Sequence, residues 1–207
     1  MPLQNRVTPF GCIVADPAFG AWMGNRGCLH DKHRRLTRQR CTERRWIVCH
    51  LQFKGRKRTP MTPGRYTELF FLDEATALAA GHRPCFECRR DDYFAFRAAW
   101  SEAFPGCAAK AGDMDRVLDP ERICPPAKRP VVADAAALPD GAFIYRPGKQ
   151  ETALLVADGA LWRWTPAGYC EPQDSRGRSG ILLTPRATVE VLKAGYCVQI
   201  DSSAFEK

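Results

Sequence analysis

The sequence predicts an α+β protein. A basic α+β part covers residues 1–123, and a small antiparallel β-domain covers residues 131–207, with a linker at 124–130 between them. Three observations carry this reading. First, Leu69–Arg90 (LFFLDEATALAAGHRPCFECRR) passes from a β-rich apolar run through an alanine-rich helical one to a Cys-x-x-C turn. Second, Tyr93, Phe96, Trp100 and Phe104 recur at helical spacing. Third, beyond Pro130 the chain turns to apolar runs, Ala142–Tyr145 and Ala153–Val156, separated by Pro139-Asp140-Gly141 and Asp158-Gly159 turn signals.

Taken in order, Phe10, Ile13 and Val14 suggest an opening strand that Asp16-Pro17 ends. Gly24–Arg35 is glycine-punctuated and polar, which reads as loop. Arg45–Phe53 (RWIVCHLQF) is rich in β-formers and reads as a buried strand, with Lys54–Arg58 as the turn after it and an irregular, proline-bearing stretch to Arg65. Asp73 caps the alanine-rich helix by accepting from its free amides, Gly81 supplies a left-handed stop and Pro84 prevents continuation. Asp91 or Asp92 caps the next helix, whose aromatic stripe is core, and Pro105-Gly106 ends it. Residues 113–123 form a short helix interrupted by Pro120, and CPPAKRP (124–130) is the clearest linker. In the last third, residues 154–170 align with 181–197 at an offset of 27. The alignment lays Trp162 and Trp164 on Val189 and Val191, and Ala167–Cys170 on Ala194–Cys197. That suggests one hairpin unit used twice.

Composition narrows the class. With 207 residues, 45% apolar and 26% charged, the chain is an ordinary globular one rather than a disordered one. No apolar run approaches a membrane span and the N-terminus lacks a signal-peptide pattern, so the expected location is the cytoplasm, where the ten cysteines would be mostly reduced. No P-loop, dinucleotide fingerprint or serine nucleophile elbow is present. The net charge of +8 is concentrated: residues 1–68 carry 14 Lys and Arg against 4 Asp and Glu, while 69–130 and 131–207 each balance to −1.

Cys85 and Cys88 sit three apart, the spacing with which two thiolates grip one tetrahedral ion, and this is half of a metal site. The region from Trp46 to Arg90 resembles the N-terminal zinc-binding domain of the Ada DNA-repair protein and related small modules. Trp46-Ile47-Val48-Cys49 is similar to that family's first strand, Phe70 and Phe71 to its second, and Gly81–Cys88 (GHRPCFEC) to its G-[FYH]-R-P-C-x-x-C ending. The resemblance implies one zinc ion with Cys49, Cys85 and Cys88 as ligands. The family's second cysteine falls near Phe53 here, which cannot bind metal. Cys41, from a preceding strand, is the preferred fourth ligand, with His50, Cys28, His30 or no protein ligand, leaving a position open to water, as alternatives. His50 is the strained choice, because adjacent residues of a strand point to opposite faces.

The basic excess falls in two clusters, Lys32–Arg45 and Lys54–Arg58. Such blocks are the footprint of a phosphate-rich partner, DNA or RNA, and Arg34, Arg35, Arg38, Arg44, Arg45, Lys54, Arg56, Lys57 and Arg58 are the candidate contacts. Trp46, Phe53 and Tyr66 interleave aromatic surface among them. Two other classes stand beside nucleic-acid binding. One is an enzyme: either a zinc-thiolate methyl acceptor at Cys49, as the family resemblance implies, or a metal-assisted hydrolase built on Cys28, His30, Asp31 and His33. The other is a non-catalytic protein-interaction module.

Overall fold

A six-residue helix, α1 (Glu74–Ala79), is buried along its whole length. Its cap is the expected one: Asp73 accepts from the amide of Thr76 at 2.8 Å. In the computed structural model three apolar clusters cover its alanine and leucine side chains, while Glu74 pairs with Arg89 and Thr76 accepts from the Trp164 indole. The structure describes every residue of 1–207 except Cys41, Arg58, Lys149, Gln150 and Lys207. Ala77, with Ala80 just past the helix end, packs with Val7, Ile13, Val48, Leu69 and Phe71 of an N-terminal sheet. Ala75 and Ala79 pack with Phe143, Tyr145, Leu155 and Trp162 of a C-terminal sheet. Leu78 joins Tyr93, Phe96, Trp100, Val191 and Leu192 from two longer helices. Small side chains on α1 let these layers approach closely; bulk there would overpack them.

The N-terminal sheet contains β1 (Gln4–Val7), β2 (Ile13–Ala15), β3 (Trp22–Asn25), β4 (Ile47–His50), β5 (Leu69–Phe71) and β6 (Arg83–Pro84). Its order is β2-β1-β5-β3-β4-β6, mixed in direction, with β1–β5 and β4–β6 parallel. The helices α2 (Arg90–Ala103) and α3 (Ala111–Ile123) follow. The C-terminal sheet is antiparallel throughout: β7 (Val131–Val132), β8 (Phe143–Arg146), β9 (Thr152–Ala157), β10 (Ala160–Thr165), β11 (Gly168–Asp174) and β12 (Gly180–Leu182), in the order β11-β10-β9-β8-β12-β7. The last helix, α4 (Arg186–Lys193), packs against α2. The protein is α+β. No helix among the described residues is long and apolar enough to cross a membrane.

Several local expectations need correction. The stretch read as loop from Gly24 begins inside β3, which lies at the centre of its sheet between β5 and β4. Gly24 is there because of crowding, not turning: a Cβ would sit 2.2 Å from the Ile47 carbonyl oxygen and 2.9 Å from the Phe71 ring. Phe10 lies in the turn between β1 and β2 rather than in a strand. Asp91 and Asp92 do not cap α2; they occupy its first turn, where carboxylates suit the positive helix end, and Arg89 is the cap residue. Helix α3 runs through Pro120 without a break.

The internal repeat fails. Trp162 and Trp164 lie on strand β10, whereas their aligned partners Val189 and Val191 lie on helix α4. In α4, Val191 packs with the helices and Val189 with Leu154 and Leu161 of the sheet, so its apolar residues serve two layers. The 124–130 segment has no buried residue but is tied to its surroundings by hydrogen bonds. Pro126–Lys128 makes a short 3-10 turn, and Arg129 donates to the carbonyl oxygens of Cys124, at 3.1 Å, and Leu183. Two of the apolar clusters draw residues from both sides of this segment.

Candidate metal centre

Strand parity builds the site. Across β5-β3-β4 the register pairs Met23 with Cys49 and with Phe70, and Trp22 with His50 and with Phe71. Alternation then divides them. Trp22 and Phe71 belong to the face that covers α1, while Met23, Cys49, Ile47 and Phe70 cluster on the opposite face with Cys85 and Cys88. His50 goes with its own face, its ring centroid 5.1 Å from that of Trp22.

Cys85 and Cys88 are brought to Cys49 by the end of α1. Gly81 adopts φ +84°, and the amides of Gly81 and His82 donate to the carbonyl oxygens of Leu78 and Ala77, both at 2.9 Å. A Cβ at Gly81 would lie 2.6 Å from the Arg122 side chain, so glycine is required by packing as well as by conformation. The chain then runs parallel to β4, and the Cys85 amide donates to the Val48 carbonyl at 2.9 Å. Arg83 anchors this short strand by a forked, buried ion pair to Asp115, at 2.6 and 3.1 Å.

The Sγ atoms of Cys49, Cys85 and Cys88 all lie within 4.8 Å of one another, the first two residues buried and the third half-buried. Tetrahedral zinc with sulfur bonds of about 2.3 Å needs sulfurs about 3.8 Å apart, so small side-chain rotations close the set on one ion. The sulfurs are also served by hydrogen-bond donors. The Cys85 thiol is pulled well down, first by the Cys49 thiol, then by the Cys88 thiol, with the backbone amides of Cys88 and Glu87 adding to it. The Cys49 thiol is pushed up, chiefly by its hydrogen bonds to Cys85 and Cys88 and then by burial. A group in which one thiolate is already favoured and its neighbours must shed protons is what a metal ion completes. Among the described residues no other Cys, His, Asp or Glu joins this group. Cys41, the preferred fourth ligand, lies outside the described residues.

The remaining alternatives for that position are occupied elsewhere. His30 is buried; its Nε2 donates to the Thr62 carbonyl at 3.1 Å and its Nδ1 accepts from the Thr67 hydroxyl at 2.7 Å. Both ring nitrogens brace a loop. Asp31 accepts from the amides of His33 and Arg35 and from the Arg35 side chain, a turn-holding role. Cys28 is exposed, its thiol 3.7 Å from the His30 carbonyl. The residue types considered for a hydrolase are therefore adjacent in sequence and separately employed in space.

Of the basic residues, Arg34, Arg35, Arg38, Arg44, Arg45, Lys54, Arg56 and Lys57 are all exposed, and Arg58 lies outside the described residues. Arg35 pairs with Asp31 at 2.9 Å, Arg44 with Asp119 at 3.1 Å and Arg45 with Glu43 at 3.9 Å. Arg56 pairs with Glu87 at 2.5 Å. Glu87 lies between the two cysteines of the turn, so this contact seats the second basic cluster beside the cysteine group. A cleft of about 650 Å³ adjoins it, lined by Cys85, Arg45, Arg65, Tyr66, Phe86 and Glu87 among others.

Trp46 is core, 4% exposed, and Phe53 carries Lys54 and Arg56 over its ring at 5.1 and 5.3 Å. Sequence reasoning missed Phe86, an aromatic 48% exposed within the Cys-x-x-C turn itself. It packs edge-on against Tyr93 and Phe94 of α2, at ring-centroid distances of 5.1 and 6.0 Å, with Arg90 over its ring at 5.2 Å. Comparisons of the chain with protein-family models, with curated proteins and with solved structures find no match.

Proposed function

We propose that the protein is a zinc-binding, nucleic-acid-binding protein with an Ada-like module over residues 46–90. The reading assigns one zinc to Cys49, Cys85 and Cys88 and gives it a structural role, holding β4 to the Cys-x-x-C turn. Phosphates are then met by the basic surface that borders the turn. The observation that carries the reading is the Arg56–Glu87 contact, which sets the Lys54–Arg58 cluster against the cysteine group. The shared cleft adds Arg45 and Arg65 to the same side and presents Tyr66 and Phe86 as rings on which bases can stack. Direct methyl acceptance at Cys49 is disfavoured because Cys49 does not line the cleft, whereas Cys85 does.

The test joins two measurements on the full chain. Elemental analysis of protein purified without chelator should give about one zinc per chain, in line with a single tetrahedral site. Fluorescence-anisotropy titration with labelled single- and double-stranded DNA and RNA should show affinity falling steeply with salt and depending little on base sequence. Zinc-free protein from zinc-replete cells ends the metal half of the reading. Absence of binding at low salt ends the nucleic-acid half and favours the interaction module.

A further inference from the structure

Two hollows meet on the face that carries the cysteine turn. The cleft of about 650 Å³ beside Cys85 and a second hollow of about 590 Å³, lined by Arg56, Lys57, Thr59, Thr62 and Glu68, have Arg65 and Tyr66 in common. The Arg56–Glu87 contact joins them again, since Arg56 lines the second and Glu87 the first. Together they make one depression that carries both the aromatic rings and the cations.

The rings are held in place by the fold. Phe86 meets Tyr93 and Phe94 edge-on and carries Arg90 over it, yet keeps about half of its surface open. Tyr66 precedes the buried Thr67, whose amide donates to the Gly27 carbonyl at 3.0 Å and whose hydroxyl accepts from the Leu29 amide at 2.8 Å. The acids of the depression are already engaged. Glu87 pairs with Arg56 at 2.5 Å and Glu43 with Arg45 at 3.9 Å. Glu68 is 4% exposed and accepts from the Met61 amide at 2.8 Å. Arg83 also lines the cleft, but Asp115 holds its guanidinium. Arg65, where the hollows meet, and Lys57, in the second, are exposed and form no ion pair with any described residue.

We propose that this depression takes a single strand of nucleic acid, with an unpaired base against Tyr66 and Phe86 and backbone phosphates at Arg65 and Lys57. The inference rests on the nucleic-acid reading above and narrows it from a phosphate-bearing surface to an unpaired strand. Stacking on an aromatic ring needs a free base face, and in a duplex both faces are covered by neighbouring bases. A base must leave that stack to reach Tyr66 or Phe86, at a cost that a strand already single largely avoids. The first hollow lies within the range, about 300–1,000 Å³, of pockets that enclose one small organic ligand, and a nucleotide is of that size. Every base has a face to stack, so the site tolerates all sequences. Guanidinium at Arg65 suits a phosphate between the two hollows, where its fork can meet two oxygens at once.

The experiment is fluorescence anisotropy of the full chain with three labelled DNA probes of about twelve nucleotides: an intact single strand, its duplex, and an abasic strand that keeps every phosphate and loses every base. Because the electrostatic gain per contact is larger on a duplex, affinities are compared near physiological salt, about 0.15 M, where stacking persists. The intact strand should bind about fivefold or more tightly than the abasic one, and more tightly than the duplex. Tyr66→Leu and Phe86→Leu should each weaken the intact strand about fivefold or more while leaving the abasic strand and the salt slope unchanged. Tyr66→Phe keeps the ring and should bind as wild type. If Phe86→Leu disturbs the cysteine turn, the comparison of intact and abasic strands on the unaltered chain decides alone. Equal affinity for intact and abasic strands, or a duplex bound as tightly as the intact strand, overturns the inference and leaves a phosphate-binding surface standing. Binding to none of the three at low salt ends the nucleic-acid reading itself and this inference with it.

Discussion

Glu74 and Arg89 form an ion pair at 2.8 Å with both side chains 2% exposed. Arg89 follows Cys88 directly and lies over the Trp22 ring at 4.0 Å, so the residue after the cysteine turn is clamped between a strand of one sheet and the first residue of α1. Glu74 accepts in addition from the Tyr196 hydroxyl at 2.6 Å and the Gln199 amide at 3.1 Å. One carboxylate thereby ties the cysteine turn, the central helix and the C-terminal tail. Removing one partner of such a pair strands a buried charge. Arg89→Met is expected to cost about 3–5 kcal/mol of unfolding free energy by urea titration. Adding Glu74→Gln to it should cost less than the sum of the two single changes. Strict additivity would show that the two side chains are not coupled.

Metal loading should be lost before the fold is. Cys85→Ser is expected to abolish zinc in elemental analysis and lower Tm, because Cys85 is the thiol that its neighbours favour as thiolate and a bond from it to the proposed zinc would add to a thin apolar cluster. Cys28→Ser, at an exposed residue outside the group, should retain metal and Tm. Equal loss in both variants would remove the assignment.

Phosphate contacts on the basic face are read through salt. Replacing Arg38, Arg45 and Lys57 together with Ala should weaken DNA and RNA alike and reduce the slope of log affinity against log salt by up to about two to three. Arg97→Ala, exposed on α2 outside the basic clusters, serves as the control and should leave the slope unchanged. A slope that is the same in the triple variant and in wild type would leave the face as solvated surface.

His82 gives the fold a pH dependence of defined sign. It is buried against Trp46 and Phe71, at ring-centroid distances of 5.4 and 4.7 Å, with Arg26 beside it. Burial first, then the Arg26 and Arg122 charges, hold its pKa well below 6.5. Below pH 6.5 the unfolded chain therefore takes up a proton that the folded chain refuses. Stability contributed at neutral pH is lost as pH falls, by up to about 1.4 kcal/mol per pH unit. Urea titrations from pH 7.5 to 5 should show this fall in wild type, and His82→Gln should flatten it. An unchanged slope in the variant would place the titration elsewhere.

The segment at 124–130 should not release two independent domains. Phe143, Tyr145 and Leu155 pack on Ala75 and Ala79 of α1, and Ala187 and Val191 of α4 on Phe96 and Trp100 of α2. A fragment beginning at Val131 exposes both of those faces, and circular dichroism should find it largely unfolded. A cooperative, β-rich fragment would show that the C-terminal sheet carries a sufficient core of its own.

Much of this was legible in local chemistry. Asp73 as a cap, Gly81 as a stop and the burial of Tyr93, Phe96 and Trp100 follow from interactions a few residues long, which any chain with that pattern makes. Strand parity alone separated Cys49 from His50, and the structure puts them on opposite faces. Other features were set by partners distant in sequence. Gly24 reads as a turn residue until Ile47 and Phe71 are seen to leave no room for a side chain. Val189 and Val191 read as strand until α4 is seen to bridge the helical and sheet layers. The pairing of Arg83 with Asp115, and the gathering of Arg26, Arg122 and Arg129 around one pocket, join residues dozens of positions apart. Periodicity and capping energies act within a turn or a strand, whereas close packing and charge balance are decided only when separate segments meet.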